Sequence, residues 1–216
     1  MLLFSVVAHE YAHAEAAYRQ GDDTAYVLGR LTLNPLKHID PLMSLIVPFI
    51  LWRMGAPVFG AARPVPVNPR KYRNFRKGDV IVSLAGIAVN LGLFVVSAVL
   101  FVVVGMLALA LPSLTPSLAI AQRMLQWGMW LNLVLAFFNL VPIPPLDGSH
   151  VFYHLLPPGA GLKYRRLQAL GFLPILIIAW VFPEVLQVLL WPADQLMRAG
   201  LAVVRGFAIS RGAGPT

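Results

Sequence analysis

The chain alternates between long apolar runs and short stretches that are polar, proline-rich or basic. Residues 1–8 (MLLFSVVA) are apolar, and helical patterning continues to about Tyr18. This first element reads as a short membrane span. About eighteen residues make about 27 Å of helix, against hydrocarbon about 30 Å thick, which leaves open a start upstream of Met1. A secretory leader would carry a basic n-region ahead of the apolar run, and none stands before residues 1–8. Residues 19–40 form a polar loop with Arg19, Asp22, Asp23, Arg30, Lys37 and Asp40. Leu42–Trp52 is apolar but too short to cross, so it predicts a re-entrant dip. Residues 57–69 hold Pro57, Pro64, Pro66 and Pro69 around the alternating Val65 and Val67, the pattern of a small extended or β segment.

Val80–Leu111 is the clearest span, in a stretch without charge from Asp79 to Arg123. Met124–Val141 is the next. It ends at Pro142, Pro144 and Pro145, after which Leu146–Leu156 resumes as helix. Leu167–Leu190 reads as a further span, kinked at Pro174 and Pro183. The pattern therefore predicts an all-α polytopic membrane protein with about four spans, the re-entrant segment and the extended segment. Residues 1–191 form one domain. Residues 192–216 form a tail in which Arg198, Arg205 and Arg211 recur near helical period, as in an interfacial helix.

Composition supports the bilayer. The 216 residues are 58% hydrophobic and 12% charged, where soluble domains run at about 45–50% and about 25%. Disorder is excluded by the same excess of apolar residues. The net charge of +8 would suggest nucleic acid in a soluble protein, but no base-reading motif accompanies it. In a membrane protein it marks cytoplasmic loops. The clusters at 70–77 and 163–166 are then cytoplasmic, with two spans between them and the N-terminus outside. Cysteine is absent, so a metal would need histidine and carboxylate ligands.

His9-Glu10-Tyr11-Ala12-His13 is H-E-x-x-H. On a helix, residues four apart share a face, so both imidazoles can grip one Zn²⁺ while Glu10 takes a proton from the activated water. Two histidines and a glutamate within a membrane segment are costly unless they serve a site. Zinc needs a third protein ligand and an open position. The metzincin extension would place glycine at 16 and histidine at 19, where Ala16 and Arg19 stand. Glu184 lies near the far end of the last span. Asp147, in the run NLVPIPPLDG at 139–148, is the better candidate, because a broken helix at membrane depth is tolerated where it lines a cavity. An N-cap role for Asp147 stays open beside ligation. His150 and His154 are also four apart and could ligate or simply pack. Glu15 faces away from the histidines.

With H-E-Y-A-H go GRLTLNPLKHIDP at 29–41, PVPVNP at 64–69, AGIAVN at 85–90 and FNLVPIPPLDG at 138–148. In this order, over about residues 1–156, the chain resembles the compact bacterial site-2 proteases, which are intramembrane zinc metalloproteases. The resemblance implies that His9, His13 and Asp147 bind one zinc and that Glu10 is the general base. It implies that Asn139, and in the same way Asn90, hydrogen-bonds the substrate backbone or the developing oxyanion. It also implies a transmembrane substrate, already trimmed by another protease. The sequence departs from the family at Gly86-Ile87, where Gly-Pro is usual, and at Met43-Ser44, where Gly-Thr is usual.

Two other readings stand beside this one: a silent membrane scaffold retaining the zinc site, against which the intact Glu10 argues, and an ion transporter, against which the lack of a repeat argues. For the protease, the partners are a transmembrane substrate and the bilayer, and the site faces the cytoplasm. From His13 to Arg19 is about 9 Å of helix, which sets the expected depth of the zinc below that surface.

Overall fold

The computed structural model describes residues 1–55 and 63–209, and every regular element among them is helical. Helix α1 (Leu2–Gln20) stops at Gly21, whose φ of 107° is left-handed and whose N–H closes on the last turn. Only glycine takes that conformation without steric cost. A short α2 (Thr24–Val27) follows in the polar loop. The expected dip at 42–52 is a π-helical turn, Pro41–Ile46, running into α3 (Val47–Arg53). Residues 63–68 join no sheet ladder, and 57–62 of the expected extended segment lie outside the described residues.

Helix α4 (Phe75–Ala110) is opened by Asn74, whose side chain accepts from the Lys77 N–H at 3.0 Å. It ends before Pro112, which disfavours helix in the residue ahead of it. Helix α5 (Thr115–Leu140) starts with a proline in its first turn and ends before Pro142. Beyond it come α6 (Gly148–Tyr153), α7 (Pro158–Arg165), α8 (Leu173–Val181) and α9 (Pro183–Val204).

Helices α4, α5 and α9 share the main core, built on Phe94, Met129, Leu133, Ala193 and Met197. Helix α1 packs along the first half of α4. At the far end, Phe101, Leu125 and Val204 continue the seam. There Gln122 donates to the carbonyls of Phe101 and Phe207 and accepts from the Ile209 N–H. Helix α9 passes Pro192 without a break, so Ala193, Met197 and Val204, from the stretch read as a tail, belong to this core.

The run expected as one span at 167–190 is interrupted. A 3₁₀ turn at Arg166–Leu170 meets Gly171 at φ 54°, α8 follows at an angle of 80° to the preceding helical stretch, and a second break precedes Pro183. Glycine and proline remove the backbone continuity that the apolar pattern suggests. Among the described residues, α4 is the one unbent helix long and apolar enough to cross a membrane by itself. Helix α1 carries His9, Glu10, His13, Glu15 and Arg19, and α9 carries Glu184, Asp194 and Arg198, which lowers their hydropathy. Helix α4 is apolar all round and yet exposes Val95, Val96, Val99, Leu100 and Val103. In water such a face would be covered; facing lipid, it needs no cover.

Candidate active site

Helix α1 places His9 and His13 one turn apart on the side that meets α4. Their Nε2 atoms lie 3.0 Å apart. Asp147 Oδ2 lies 3.1 Å from His9 Nε2 and 3.2 Å from His13 Nε2. The other nitrogen of each ring is held by α4: His9 Nδ1 donates to Asn90 Oδ1 at 2.6 Å, and His13 Nδ1 donates to the Val82 carbonyl at 2.7 Å. The amide orientation of Asn90 follows from its second bond, Nδ2 donating to Asn132 Oδ1 at 2.9 Å. Both Nδ1 partners are acceptors, so each Nδ1 carries its proton, and in the neutral ring that a metal requires each Nε2 is bare.

Three acceptor atoms therefore converge. Asp147 Oδ2 is buried and has no hydrogen-bond donor. Bare lone pairs at this separation repel unless a cation lies between them. Ligands of a tetrahedral zinc with bonds of about 2.0–2.1 Å stand about 3.3 Å apart, close to the three distances found. The residues fit a single zinc.

The third arm comes from the break after α5. The segment Val141–Asp147 turns through a cis Pro144–Pro145 bond, and Gly148 lets α6 start against the end of α5. A Cβ on Gly148 would stand 2.1 Å from the Leu140 carbonyl oxygen. Asp147 occupies the N-cap position of α6 but makes no capping bond, its carboxylate being turned to the histidines.

Gly86 is a requirement that the sequence pattern did not expose. A Cβ there would lie 2.6 Å from both His13 Nε2 and His9 Cε1. Gly86→Ala should push both rings off α4 and lower zinc content. The overpacking should cost about 1–3 kcal/mol of stability. Metal analysis and thermal unfolding of the purified variant check this; full zinc with an unchanged midpoint would contradict the packing described.

Glu10 lies beside the histidines in the same cavity, about 390 Å³ in volume, which Asn139, Val65, Val67 and Phe138 also line. Glu10 Oε2 accepts from the Val65 N–H at 2.8 Å. Asn139 donates from Nδ2 to the Leu135 carbonyl. Asn90, expected at the substrate, is fully buried behind His9 with both amide atoms used by protein partners. It is thus a partner of the histidine and does not reach the cavity. His150 and His154 are not part of the triad: both face Asp79, which is 3% exposed. Asp79 drew no attention in the sequence. Its one signal was its position, the last charge before the apolar run, on the helix face shared with Gly86 and Asn90.

Residues 41–178 match the family model described as Peptidase family M50. The chain belongs to this family. A Bacillus subtilis relative, YwhC, which carries the name of a zinc metalloprotease, is 41% identical over 191 residues, covering 88% of this chain and 82% of its own. Two mycobacterial proteins named Rip2 carry the same description. That of Mycobacterium tuberculosis strain H37Rv is 33% identical over 223 residues, covering 96% of this chain and 79% of its own. That of Mycolicibacterium smegmatis is 31% identical over 176 residues, covering 82% of this chain and 63% of its own. No solved structure matches the chain. As an M50 peptidase it is a zinc metalloendopeptidase. The matched region contains Asp147 and the α4 partners; H-E-x-x-H lies ahead of it.

Proposed function

We propose that this M50 peptidase hydrolyses a peptide bond inside the transmembrane segment of another membrane protein, at a site opening toward the cytoplasm. The observation that carries the reading is the convergence of His9, His13 and Asp147, with Glu10 beside them, among helices whose exposed faces are apolar. His9 Nε2, His13 Nε2 and Asp147 Oδ2 hold the zinc. Zinc there supplies Lewis-acid chemistry, making water a usable nucleophile near neutral pH and polarising a carbonyl. Glu10 takes the proton of the attacking water and passes it to the departing amine. The Val65 N–H on Oε2 orients the carboxylate and leaves Oε1 to receive the proton. Asn139, at the cavity wall, hydrogen-bonds the substrate backbone. Asn90 fixes the tautomer of His9 and so acts on zinc rather than on substrate.

A helical substrate hides its carbonyls in i→i−4 bonds and must unwind to be cut. The 63–68 segment runs past Glu10 in the same cavity and can accept an unwound strand by backbone pairing. Helices α1, α4, α5 and α9 serve as the four crossings. The N-terminus and the Gln122–Ile209 contact then lie outside, and the basic loops at 70–77 and 163–166 lie inside with the site. Reconstituted protein should cut a model transmembrane substrate within its apolar segment, as mapped by the masses of the products. Cleavage confined to soluble loops would contradict the proposal. Single cysteines at 70–77 and at 163–166 should resist an impermeant thiol reagent in intact cells and react after permeabilisation. Labelling of either loop from outside would reverse the orientation.

A further inference from the structure

Helix α6 is six residues long, and the proposed third ligand, Asp147, is its N-cap residue. So short a helix has no orientation of its own, since nucleation costs more than one turn returns. Its side-chain anchor is a buried carboxylate on α4. Asp79 Oδ1 takes His150 Nδ1 at 3.2 Å, and Asp79 Oδ2 takes His154 Nε2 at 2.7 Å. The two histidines are one turn apart, His150 in α6 and His154 at its C-cap, so each carboxylate oxygen meets its own imidazole. Arg76, one turn before Asp79, adds a bond from Nη2 to the His154 carbonyl at 3.1 Å.

The position of Asp79 on α4 gives this anchor its meaning. At about 100° per residue, positions 79, 82, 86 and 90 fall within an arc of about 80°. That one face holds His13 through the Val82 carbonyl, admits both rings at Gly86, and holds His9 through Asn90. Asp79 extends it to the element that carries Asp147. Ligands more than 130 residues apart in sequence are thereby referred to one rigid helix. We propose that Asp79, gripping His150 and His154, is a positioning residue for the zinc site, setting where Asp147 stands relative to His9 and His13. This rests on the ligand set proposed above.

The test is zinc affinity, measured by competition with a chelator on purified full-length protein. Asp79→Ala and His154→Phe should each weaken zinc binding about 10–100-fold, the range for partners standing behind metal ligands. His154→Phe keeps the Asp79 charge, so loss in that variant cannot come from a missing anion near the cation. The double variant should be no weaker than the worse single one, because one linkage is broken in each case. Cobalt in place of zinc gives a second readout, since its visible absorption is intense only in four-coordinate geometry. That absorption should fall in both variants, and an unchanged thermal midpoint of the metal-free protein separates misplacement of Asp147 from general loosening. If Asp79→Ala does not fold, Asp79→Asn and His154→Phe carry the same expectation. Wild-type affinity and an unchanged cobalt spectrum in the folded variants would overturn the proposal. Asp147→Ala retaining wild-type affinity would instead overturn the ligand set on which it rests.

Discussion

Replacing Glu10 by glutamine should leave the zinc in place and reduce peptide cleavage at least about 10²-fold. Glu10 directly follows His9 and lies between the two histidines in sequence, but its carboxylate does not belong to the three-atom cluster and is bonded instead to the Val65 N–H. Glutamine keeps the size of the side chain and an acceptor for that N–H. It loses the basicity needed to take a proton from water. The measurement is zinc stoichiometry together with turnover of a model transmembrane substrate, variant against wild type. Equal turnover would remove Glu10 from the reaction; loss of both zinc and turnover would show it to be a ligand or a structural support.

Removing one ligand should have an effect of similar size by another route. His9→Ala and Asp147→Ala each leave two of the three proposed ligands, and zinc occupancy after dialysis against a chelator should fall sharply in both. Asp147→Ala is the sharper case. Its Oδ2 is buried without a donor, so the carboxylate is costly where it stands unless a cation meets it. The metal-free Asp147→Ala protein should be at least as stable to heat as the metal-free wild type, while the zinc-dependent gain in midpoint should disappear. A variant with full zinc would show that the third ligand lies elsewhere.

How much of the site could be read in advance differs from residue to residue. His9, Glu10 and His13 were legible because helical spacing is local: any helix through this motif puts both imidazoles on one side. Asp147 was legible as an isolated carboxylate after a proline break, but whether it capped a helix or faced a metal depended on where α6 points. Asn90 was not legible in this way, since an asparagine in an apolar span looks the same from sequence whether it faces a cavity or pairs with a histidine behind it, as it does here. His150 and His154 pointed to packing more than to ligation, and their partner Asp79 lies more than 70 residues away.

The fold divides in the same manner. Apolar runs and proline breaks were sufficient for the all-α class and for where α4 and α5 stop, because hydrophobic periodicity and backbone chemistry act over a few residues, though α5 starts at Thr115, ahead of the expected Met124. They were not sufficient at 167–190. That stretch is apolar enough for one span, but it bends sharply at Gly171 and breaks again at Pro183 to pack α8 against Val141 and Leu146 and to free α9 for the core. The sequence by itself determined that this is a helical, apolar protein with the two histidines of H-E-x-x-H on one side of its first helix. Only the tertiary structure decided which distant residues meet and support that pair. Coordination and its supporting bonds need atoms placed to within a few tenths of an ångström, and that precision comes from packing α1, α5 and α6 onto one face of α4.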